Sequence, residues 1–215
     1  MDALQIGVVG CAGRMGRSIF SAIKEDPNSN ISTGTEIPES TWIGRDIGEI
    51  LGEEETGIKI TSDPEKLFTL SDVVIDFSSP STIENHSRLA KKYQKAWILG
   101  TTGTDLNQDS FVTIASENCA IVRAANMSLG INLLAELVQR TAATLGVEFD
   151  VEILDIHHKN KLDAPSGTAL MLGKVIANAR KQNHEDVMIF PLDKTKIRPP
   201  GSMGYDAIRS GDIVG

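Results

Sequence analysis

The sequence predicts an α/β protein in which a doubly wound parallel sheet is followed by a second, mixed α/β domain. Short apolar segments alternate with segments of helical periodicity, a glycine-rich turn follows the first of them, and polar residues follow the later ones. Strands that alternate with helices form parallel sheets, because a parallel pair needs a long crossover connection. We expect the first domain to span residues 1–126 and the second residues 127–215.

Composition and charge limit the classes of protein to which this chain can belong. Its 215 residues are 40% hydrophobic and 23% charged, as expected of a globular protein with a real core. The formal net charge of -8 and the pI near 5.0 argue against nucleic acid as a partner. The two cysteines form no metal-binding pattern, and neither a basic leader nor a long apolar run occurs. We expect a cytoplasmic protein with no metal site and no membrane partner.

The first strand, turn, helix and second strand form a βαβ unit. Leu4–Val9 reads as a buried strand, the turn runs from Gly10 to Gly16, the helix spans Arg17–Lys24, and the strand Ile31–Thr35 ends on Glu36. This acid lies 20 residues beyond the last glycine of the turn, where its carboxylate can accept hydrogen bonds from ribose hydroxyls. The pattern predicts a Rossmann-like dinucleotide-binding domain. The open alternative is that the acid is a solvated turn residue.

The glycines of the turn have separate mechanical roles. Gly10 permits the turn, Gly13 lets the backbone approach a pyrophosphate, and Gly16 lets helix and sheet pack closely. The adjacent Arg14 either neutralises a phosphate or is solvated. Ile37, directly after the acid, offers no cation to a 2′-phosphate, and this favours NADH over NADPH.

Three further strands complete the expected sheet, namely Val73–Ser78, Trp97–Leu99 and Ala120–Val122. Ligands of doubly wound sheets bind at the carboxyl ends of the strands. The small residues there that suit backbone approach to a nicotinamide ribose are Gly100, Thr101, Thr102 and Asn126. Taken singly, each is equally an ordinary turn residue. Residues 34–57 have weak periodicity and read as a loop.

A short segment of the second domain combines two histidines, a lysine and the start of a helix. A helix over Leu129–Leu145 leads to an alternating strand, Phe149–Ile156, and an apolar-periodic helix follows over Thr168–Ala179. His157 and His158 stand where the strand ends, and they face opposite sides because strand side chains alternate. Lys161 and the first backbone N–H groups of the later helix complete the segment.

The start of that helix is a candidate anion site. Ser166 is placed as its N-cap, and the N–H groups of Gly167 and Thr168 have no acceptor within the helix. With the lysine and two imidazoles, these groups point to an acidic small molecule and proton transfer to it. The alternative is that Pro-Ser-Gly-Thr only starts a helix. Residues 186–200 read as a mobile loop or a strand-loop junction. Its cations either are solvated or capture an acidic ligand, these being Lys194, Lys196 and Arg198.

These residues resemble those of the dihydrodipicolinate reductase family, also called 4-hydroxy-tetrahydrodipicolinate reductase. The resemblance runs from the strand before Gly10 to the last residue, and it rests on the His-His-x-x-Lys-x-Asp-x-Pro-Ser-Gly-Thr segment, the G-x-x-G-R-M-G turn and Gly100–Gly103. It implies a homotetramer that transfers hydride from NADH or NADPH to a cyclic dicarboxylate in the diaminopimelate route to lysine. Hydride delivery leaves an enamine-like anion that must be protonated.

The resemblance also implies roles for individual residues. His157 is the proton donor and acceptor and Lys161 a second acid, whereas His158, Gly167 and Thr168 bind substrate. The residues implied to bind the cofactor are Gly10, Cys11, Ala12, Gly13, Arg14 and Met15 at the pyrophosphate, Glu36 at the adenosine ribose, and Gly100, Thr101, Thr102, Ala124, Ala125, Asn126 and Met127 on the nicotinamide side.

Two features depart from the family pattern. Members commonly have arginine after the ribose-binding acid, where this chain has Ile37. The family also continues for some tens of residues beyond a Gly-Asp-Ile-Val-Gly strand like the one that ends here at Gly215. We therefore expect the C-terminal part of the second domain to be missing and a strand edge to be exposed.

Two other functions stay open. One is a different two-domain nicotinamide enzyme, such as a semialdehyde or homoserine dehydrogenase. The former needs a cysteine nucleophile, and neither Cys11 nor Cys119 has a plausible base beside it, whereas the latter would not need the two histidines. The other is a nucleotide-binding fragment that does not catalyse. Turnover of NADH with the cyclic dicarboxylate separates these possibilities.

Overall fold

Two parallel sheets organise the chain, one in each of two compact units. The computed structural model describes residues 3–124, 126–191, 195 and 197–215. Its units are Met1–Ala125 and Asn126–Gly215.

The sheet of the first unit is parallel throughout, with the strand order β2-β1-β3-β4-β5. Its strands are β1 (Leu4–Val9), β2 (Ser29–Thr35), β3 (Val73–Asp76), β4 (Ala96–Leu99) and β5 (Ile121–Arg123). An isolated parallel bridge pairs Thr35 of β2 with Thr61, at the position that a sixth strand would take beside β2. If this bridge is counted as a strand, the strand order is that of the Rossmann fold. The predicted doubly wound sheet is confirmed.

Helices cover both faces of this sheet. They are α1 (Arg14–Glu25), α2 (Ile47–Leu51), α3 (Pro64–Leu70), α4 (Ile83–Tyr93) and α5 (Leu106–Ser116). Neighbouring residues of a strand point to opposite faces, so Val8 and Val9 belong to different buried clusters. Val8 packs with Phe20 of α1 and Ile47 of α2, whereas the cluster of Val9 contains residues of α3, α4 and α5.

The prediction of a loop over residues 34–57 is wrong for part of that range, because it contains α2. Asp46 caps this helix and Glu49 completes a capping box, while Ile47 and Ile50 are buried. Five residues are too few to show a helical period, so the apolar pattern did not reveal it. Helix α1 also begins earlier than predicted, at Arg14, so the last part of the glycine turn is helical.

The second unit holds a three-stranded parallel sheet of order β6-β8-β7. Its strands are β6 (Val151–His157), β7 (Met188–Ile189) and β8 (Met203–Arg209), and its helices are α6 (Leu129–Leu145), α7 (Gly167–Ala179) and α8 (His184–Val187). Ala142, Ile176, Met203 and Tyr205 are among the buried residues that join α6, α7 and β8. The sheet therefore holds the end of β6 and the start of α7 on one small core.

The end of the chain differs in part from its prediction. Residues 186–200 begin with the end of α8, which was not predicted, and with the short strand β7, as in the strand-loop junction that was one of the two alternatives. No strand forms over residues 211–215, because the last strand, β8, ends at Arg209 and Gly211 follows it with a positive φ of 49° in a turn. Lys194 and Lys196 lie outside the described residues.

Candidate active site

The glycine turn after β1 is closed on itself and packed against α1. Gly10 has a φ of +64°, and its carbonyl accepts a hydrogen bond from Gly13 N at 3.1 Å. A Cβ atom on Gly16 would lie 2.5 Å from both the Gly10 carbonyl oxygen and the Cys11 Cα atom. Gly16 therefore lets α1 pack closely against the turn, whereas its predicted role was at the contact of helix and sheet. Arg14 and Met15 are exposed in the first turn of α1.

Glu36 is joined to this turn by a hydrogen bond. Its Oε1 atom accepts from Ala12 N at 2.7 Å, and Cys11 N donates to the Thr35 carbonyl at 3.1 Å. The end of β2 thus brings the acid of the predicted cofactor site against the backbone of the predicted phosphate site. These two parts are 24 residues apart in the chain.

A cavity of about 710 Å³ opens beside the turn, at the carboxyl ends of β1, β2 and β3. Gly10, Ala12, Gly13, Glu36 and Ile37 of the predicted site line it. The sequence did not single out the other side chains that line it, which include Trp42, Phe77, Ser78, Thr82, Asn85 and His86. None of the described residues that line this cavity is a lysine or an arginine.

Trp42 is the largest aromatic side chain of this cavity and stands between two guanidinium groups. The Cζ atoms of Arg17 and Arg45 lie 5.3 Å and 5.2 Å from its ring centroid. Arg17 also donates to the carbonyl oxygens of Ala12 at 2.9 Å and Ile50 at 3.0 Å. Two of its nitrogens, Nε and Nη1, thus donate within the fold. Trp42 lies in the segment of weak periodicity, where no sequence signal marked it.

A buried carboxylate and an imidazole lie together at the end of β3, and the imidazole, His86, lines the cavity. His86 Nδ1 lies 2.7 Å from Asp76 Oδ2, and Asp76 Oδ1 accepts from Ser78 N at 3.0 Å and Ser78 Oγ at 2.6 Å. Burial acts to raise the pKa of Asp76, but the hydrogen bonds from His86 and Ser78 outweigh it and lower that pKa. The carboxylate therefore stays charged and orients the ring of His86.

The small residues after β4 occupy a tight position. A Cβ atom on Gly100 would lie 2.1 Å from Cε1 of Phe77, so only glycine fits there. Thr101 is buried, and its Oγ1 atom has no hydrogen-bond partner. A buried hydroxyl without a partner is a candidate ligand contact. Thr102 is exposed, and Ala124 is half-buried.

The remaining predicted nicotinamide residues fall near the start of the second unit. Asn126 Oδ1 accepts from Ser128 N at 2.9 Å, and Ser128 in turn caps α6. Met127 is 37% exposed. Ala125 lies outside the described residues.

In the second unit, His157 ends β6 beside a buried acid that the sequence did not single out. His157 Nδ1 lies 2.5 Å from Asp155 Oδ1, although the angle is not that of a hydrogen bond, and Nδ1 is buried with no other partner. Asp155 Oδ2 accepts from Ser166 N at 2.7 Å and from Arg209 Nη2 at 3.1 Å. The backbone of Gly215 lies near the opposite, Cδ2–Nε2 edge of the imidazole. His158 is half-buried, and its Nδ1 atom also lacks a partner.

The loop between β6 and α7 holds a carboxylate of its own at the predicted anion site. Lys161 Nζ lies 2.9 Å from Asp163 Oδ1. The hydrogen bond from Lys161 and, more weakly, the backbone N–H of Gly167 lower the pKa of Asp163. Ser166 is the N-cap of α7 as predicted, since its Oγ atom accepts from Ala169 N. Lys161 and the start of α7 therefore favour a carboxylate in its charged form.

Arg198, offered by the sequence as a cation for an acidic ligand, is used within the fold. It forms an ion pair with Glu152 of β6. The other two cations of this segment fall on residues outside the described part of the chain.

Both thiols are poor nucleophiles in this structure. Burial raises the pKa of Cys11 to about 12 and also raises the pKa of Cys119. This disfavours the semialdehyde dehydrogenase interpretation, which needs a reactive thiolate. Among the described residues, no group of three metal-binding side chains forms a metal site, and no helix has the length and apolar character to cross a bilayer.

Three features define the class of this protein: a parallel sheet in Rossmann order, a glycine turn hydrogen-bonded to an acid, and a second α/β unit with a loop that holds a carboxylate. Together they are typical of oxidoreductases that have two units and bind a dinucleotide. Comparison with known sequences identifies the family within this class. Residues 4–127 match the family described as dihydrodipicolinate reductase, N-terminus, and residues 130–215 match its C-terminus. The chain belongs to the dihydrodipicolinate reductase family.

Relatives agree with this assignment, and a solved structure has the same fold. The chain is 40% identical over 211 residues to the 4-hydroxy-tetrahydrodipicolinate reductase of Ruegeria pomeroyi, covering 98% of this chain and 78% of the relative. It is 40% identical over 215 residues to the enzyme of the same name from Dinoroseobacter shibae, covering 100% and 80%. The dipicolinate-bound dihydrodipicolinate reductase from Paenisporosarcina sp. TG-14 has the same fold, with a TM-score of 0.74 and 24% identity over 99% of this chain and 80% of that one.

Proposed function

We propose that this protein reduces 4-hydroxy-tetrahydrodipicolinate to tetrahydrodipicolinate, in the diaminopimelate route to lysine, with NADH as the preferred donor. The proposal rests on the geometry of the loop between β6 and α7 in a chain of this family. His157 lies beside the buried carboxylate of Asp155, and Lys161 and the Gly167 N–H both face the carboxylate of Asp163. A dicarboxylate substrate that must be protonated needs these groups.

The first unit is proposed to bind the dinucleotide, which supplies the hydride when it is bound. Gly10 and Gly13 line the cavity without side chains and lead into the start of α1, so a pyrophosphate can approach the backbone there. Glu36 lies where ribose hydroxyls can donate to it. The unpaired hydroxyl of Thr101 is a further ligand contact after β4. The absence of lysine and arginine from the described cavity lining supports NADH over NADPH.

The second unit is proposed to bind the substrate and move the proton. Lys161 and the N–H groups of Gly167 and Thr168 hold one substrate carboxylate, in the place that Asp163 now takes between Lys161 and Gly167. His158 contributes a polar side chain with an unpaired buried nitrogen. His157 donates the proton that the reduced substrate requires, with Lys161 as a second acid.

We also propose that the protein works as a cytoplasmic homotetramer. Support comes from large apolar side chains that the second unit leaves exposed on α6 and its sheet, among them Leu133, Leu137 and Leu154 at 55%, 55% and 58% exposure. Such surfaces mark protein interfaces. Sedimentation velocity measures the assembly directly.

Turnover of NADH with the cyclic substrate tests the proposed function. His157→Ala and Lys161→Ala are each expected to lower kcat by ~10²–10⁴, because a positioned acid contributes about that much. NADH affinity should stay unchanged in both, since the two residues act on the substrate. No turnover by the unmodified protein, or an equal loss of NADH binding in both variants, would overturn the assignment.

A further inference from the structure

Asp155 is a buried acid that the proposed reaction does not yet use. It is 4% exposed, on the same face of β6 as His157, because side chains two residues apart in a strand point the same way. Its two oxygens have different partners. Oδ1 faces His157 Nδ1 at 2.5 Å, and Oδ2 accepts from Ser166 N at 2.7 Å and Arg209 Nη2 at 3.1 Å.

The charge of Asp155 follows from these partners. Burial acts to raise its pKa, but the Ser166 N–H, the Arg209 guanidinium and the His157 ring together lower that pKa. The carboxylate is therefore ionised at neutral pH. An ionised oxygen accepts hydrogen bonds and donates none.

The contact with His157 then decides where the imidazole carries its proton. His157 Nδ1 and Asp155 Oδ1 are 2.5 Å apart, so the negative charge of the carboxylate favours a proton on Nδ1 even though the two groups are not aligned as a hydrogen bond. Nδ1 is buried and makes no hydrogen bond in the described structure. The other nitrogen, Nε2, lies on the opposite edge of the ring, beside Gly215.

We propose that Asp155 is the positioning residue of this site: it keeps one proton on Nδ1 of His157, so that Nε2 is the atom that takes up a second proton from solvent, forming the imidazolium, and then gives that proton to the reduced substrate. The inference rests on the proposed function for its catalytic meaning. The same carboxylate binds the backbone of Ser166, which begins α7, so it ties the acid to the anion-binding helix start. Arg209 completes the arrangement by donating to the Asp163 carbonyl at 2.5 Å, which holds the loop.

The first measurement needs no turnover and uses the unmodified protein. Long-range ¹H–¹⁵N correlation spectra of the imidazole groups report which ring nitrogen carries the proton, and His157→Gln identifies the signals. We expect neutral His157 to be protonated on Nδ1. A neutral ring protonated on Nε2 overturns the proposal, whether or not the protein turns over.

The second measurement compares Asp155→Asn with the unmodified protein. The neutral amide can donate to Nδ1 and so move the proton to Nε2, and kcat is expected to fall by ~10²-fold, as for loss of a positioned acid. If Asp155 had a purely structural role, Asp155→Asn would change kcat and the affinity for dipicolinate equally, and His157 would keep its proton on Nδ1. Asp155→Glu keeps the charge and should retain more activity than Asp155→Asn.

Asp150→Asn is the matched control, because Asp150 is exposed just before the same strand and should leave both readouts unchanged. A kcat for Asp155→Asn within about twofold of the control overturns the proposal. If Asp155→Asn does not fold, the spectrum of the unmodified protein decides. If the unmodified protein has no reductase activity, the proposed function fails, and the spectrum still tests the placement of the proton.

Discussion

Ile37 stands beside the carboxylate that receives the ribose in the proposed cofactor site. It is 63% exposed and lines the cavity next to Glu36. A longer side chain at this position therefore extends into solvent and the ligand site and does not disturb the core. Ile37→Arg is expected to shift the preference toward NADPH by about tenfold, or 1.4 kcal/mol, because it adds the missing cation.

Fluorescence titration of both dinucleotides checks this expectation, with Ile37→Gln as the uncharged control of similar size. Binding of NADPH by the unmodified protein more than about tenfold tighter than binding of NADH would contradict the preference proposed for residue 37.

Gly167 is the first residue of α7. A substitution at this position distinguishes an anion-binding site from a helix start that binds no ligand. A Cβ atom at this position would meet no heavy atom within 4 Å, so Gly167→Val leaves the fold in place and fills only the space open to a ligand. Competition by pyridine-2,6-dicarboxylate against substrate is expected to disappear, while NADH binding stays the same. Unchanged binding of this dicarboxylate would instead direct attention to the cations of residues 194–198.

Helix α2 depends on one buried carboxylate for its start. Hydrogen bonds from the Thr56 N–H, the Gly48 N–H and the Thr56 hydroxyl outweigh burial and lower the pKa of Asp46 to about 2, from an ordinary value of 3.8. A carboxyl group whose pKa is lower in the folded state than in the unfolded state stabilises the fold at pH values above its unfolded-state pKa. This stabilisation is lost as the pH falls through the folded-state pKa. The contribution of Asp46 is therefore present at neutral pH and fades between about pH 4 and pH 2.

Asp46→Asn should consequently lower the Tm at pH 7, because the amide is a weaker acceptor for these donors. The difference in Tm from the unmodified protein should shrink as the pH falls below about 4. Thermal melts at several pH values measure this. Glu54→Gln, an exposed change in the same segment, serves as the control and should not alter the Tm. A Tm difference that is independent of pH would contradict the assignment of the effect to this charge.

The apolar pattern predicted the longer elements and the short central strands, whereas it missed the shortest helices and β7. β1 (Leu4–Val9) and α6 (Leu129–Leu145) have the bounds that their apolar patterns predict. α2 has five residues, α8 four and β7 two, which is shorter than the window over which a period can be recognised. Helix α2 forms because Asp46 and Glu49 cap it and the core buries Ile47 and Ile50, and no local preference reveals that burial.

At the scale of the molecule, the first unit has the means to fold by itself. Two buried clusters on the two faces of its sheet contain residues of this unit alone, and so does the lining of the 710 Å³ cavity. Residues 1–125 expressed alone should therefore unfold cooperatively and bind ADP with an affinity within about threefold of the full chain.

Calorimetry with ADP and circular dichroism melts test this, with Glu36→Gln in the same fragment as a control for the ribose contact. A fragment without a cooperative melt would show that the first unit needs the second for stability.

The sequence by itself determined the alternation of strands and helices, the glycine turn, the acid after β2 and the loop of histidines, lysine and helix start. Each depends on local periodicity or on the preferences of a few adjacent residues, which are readable along the chain. Only the tertiary structure decided the partners of these groups. Glu36 meets Ala12 across 24 residues, and Arg209 meets Asp155 across 54. Such contacts arise where the sheet brings distant strand ends together, and no local pattern encodes which of them will meet.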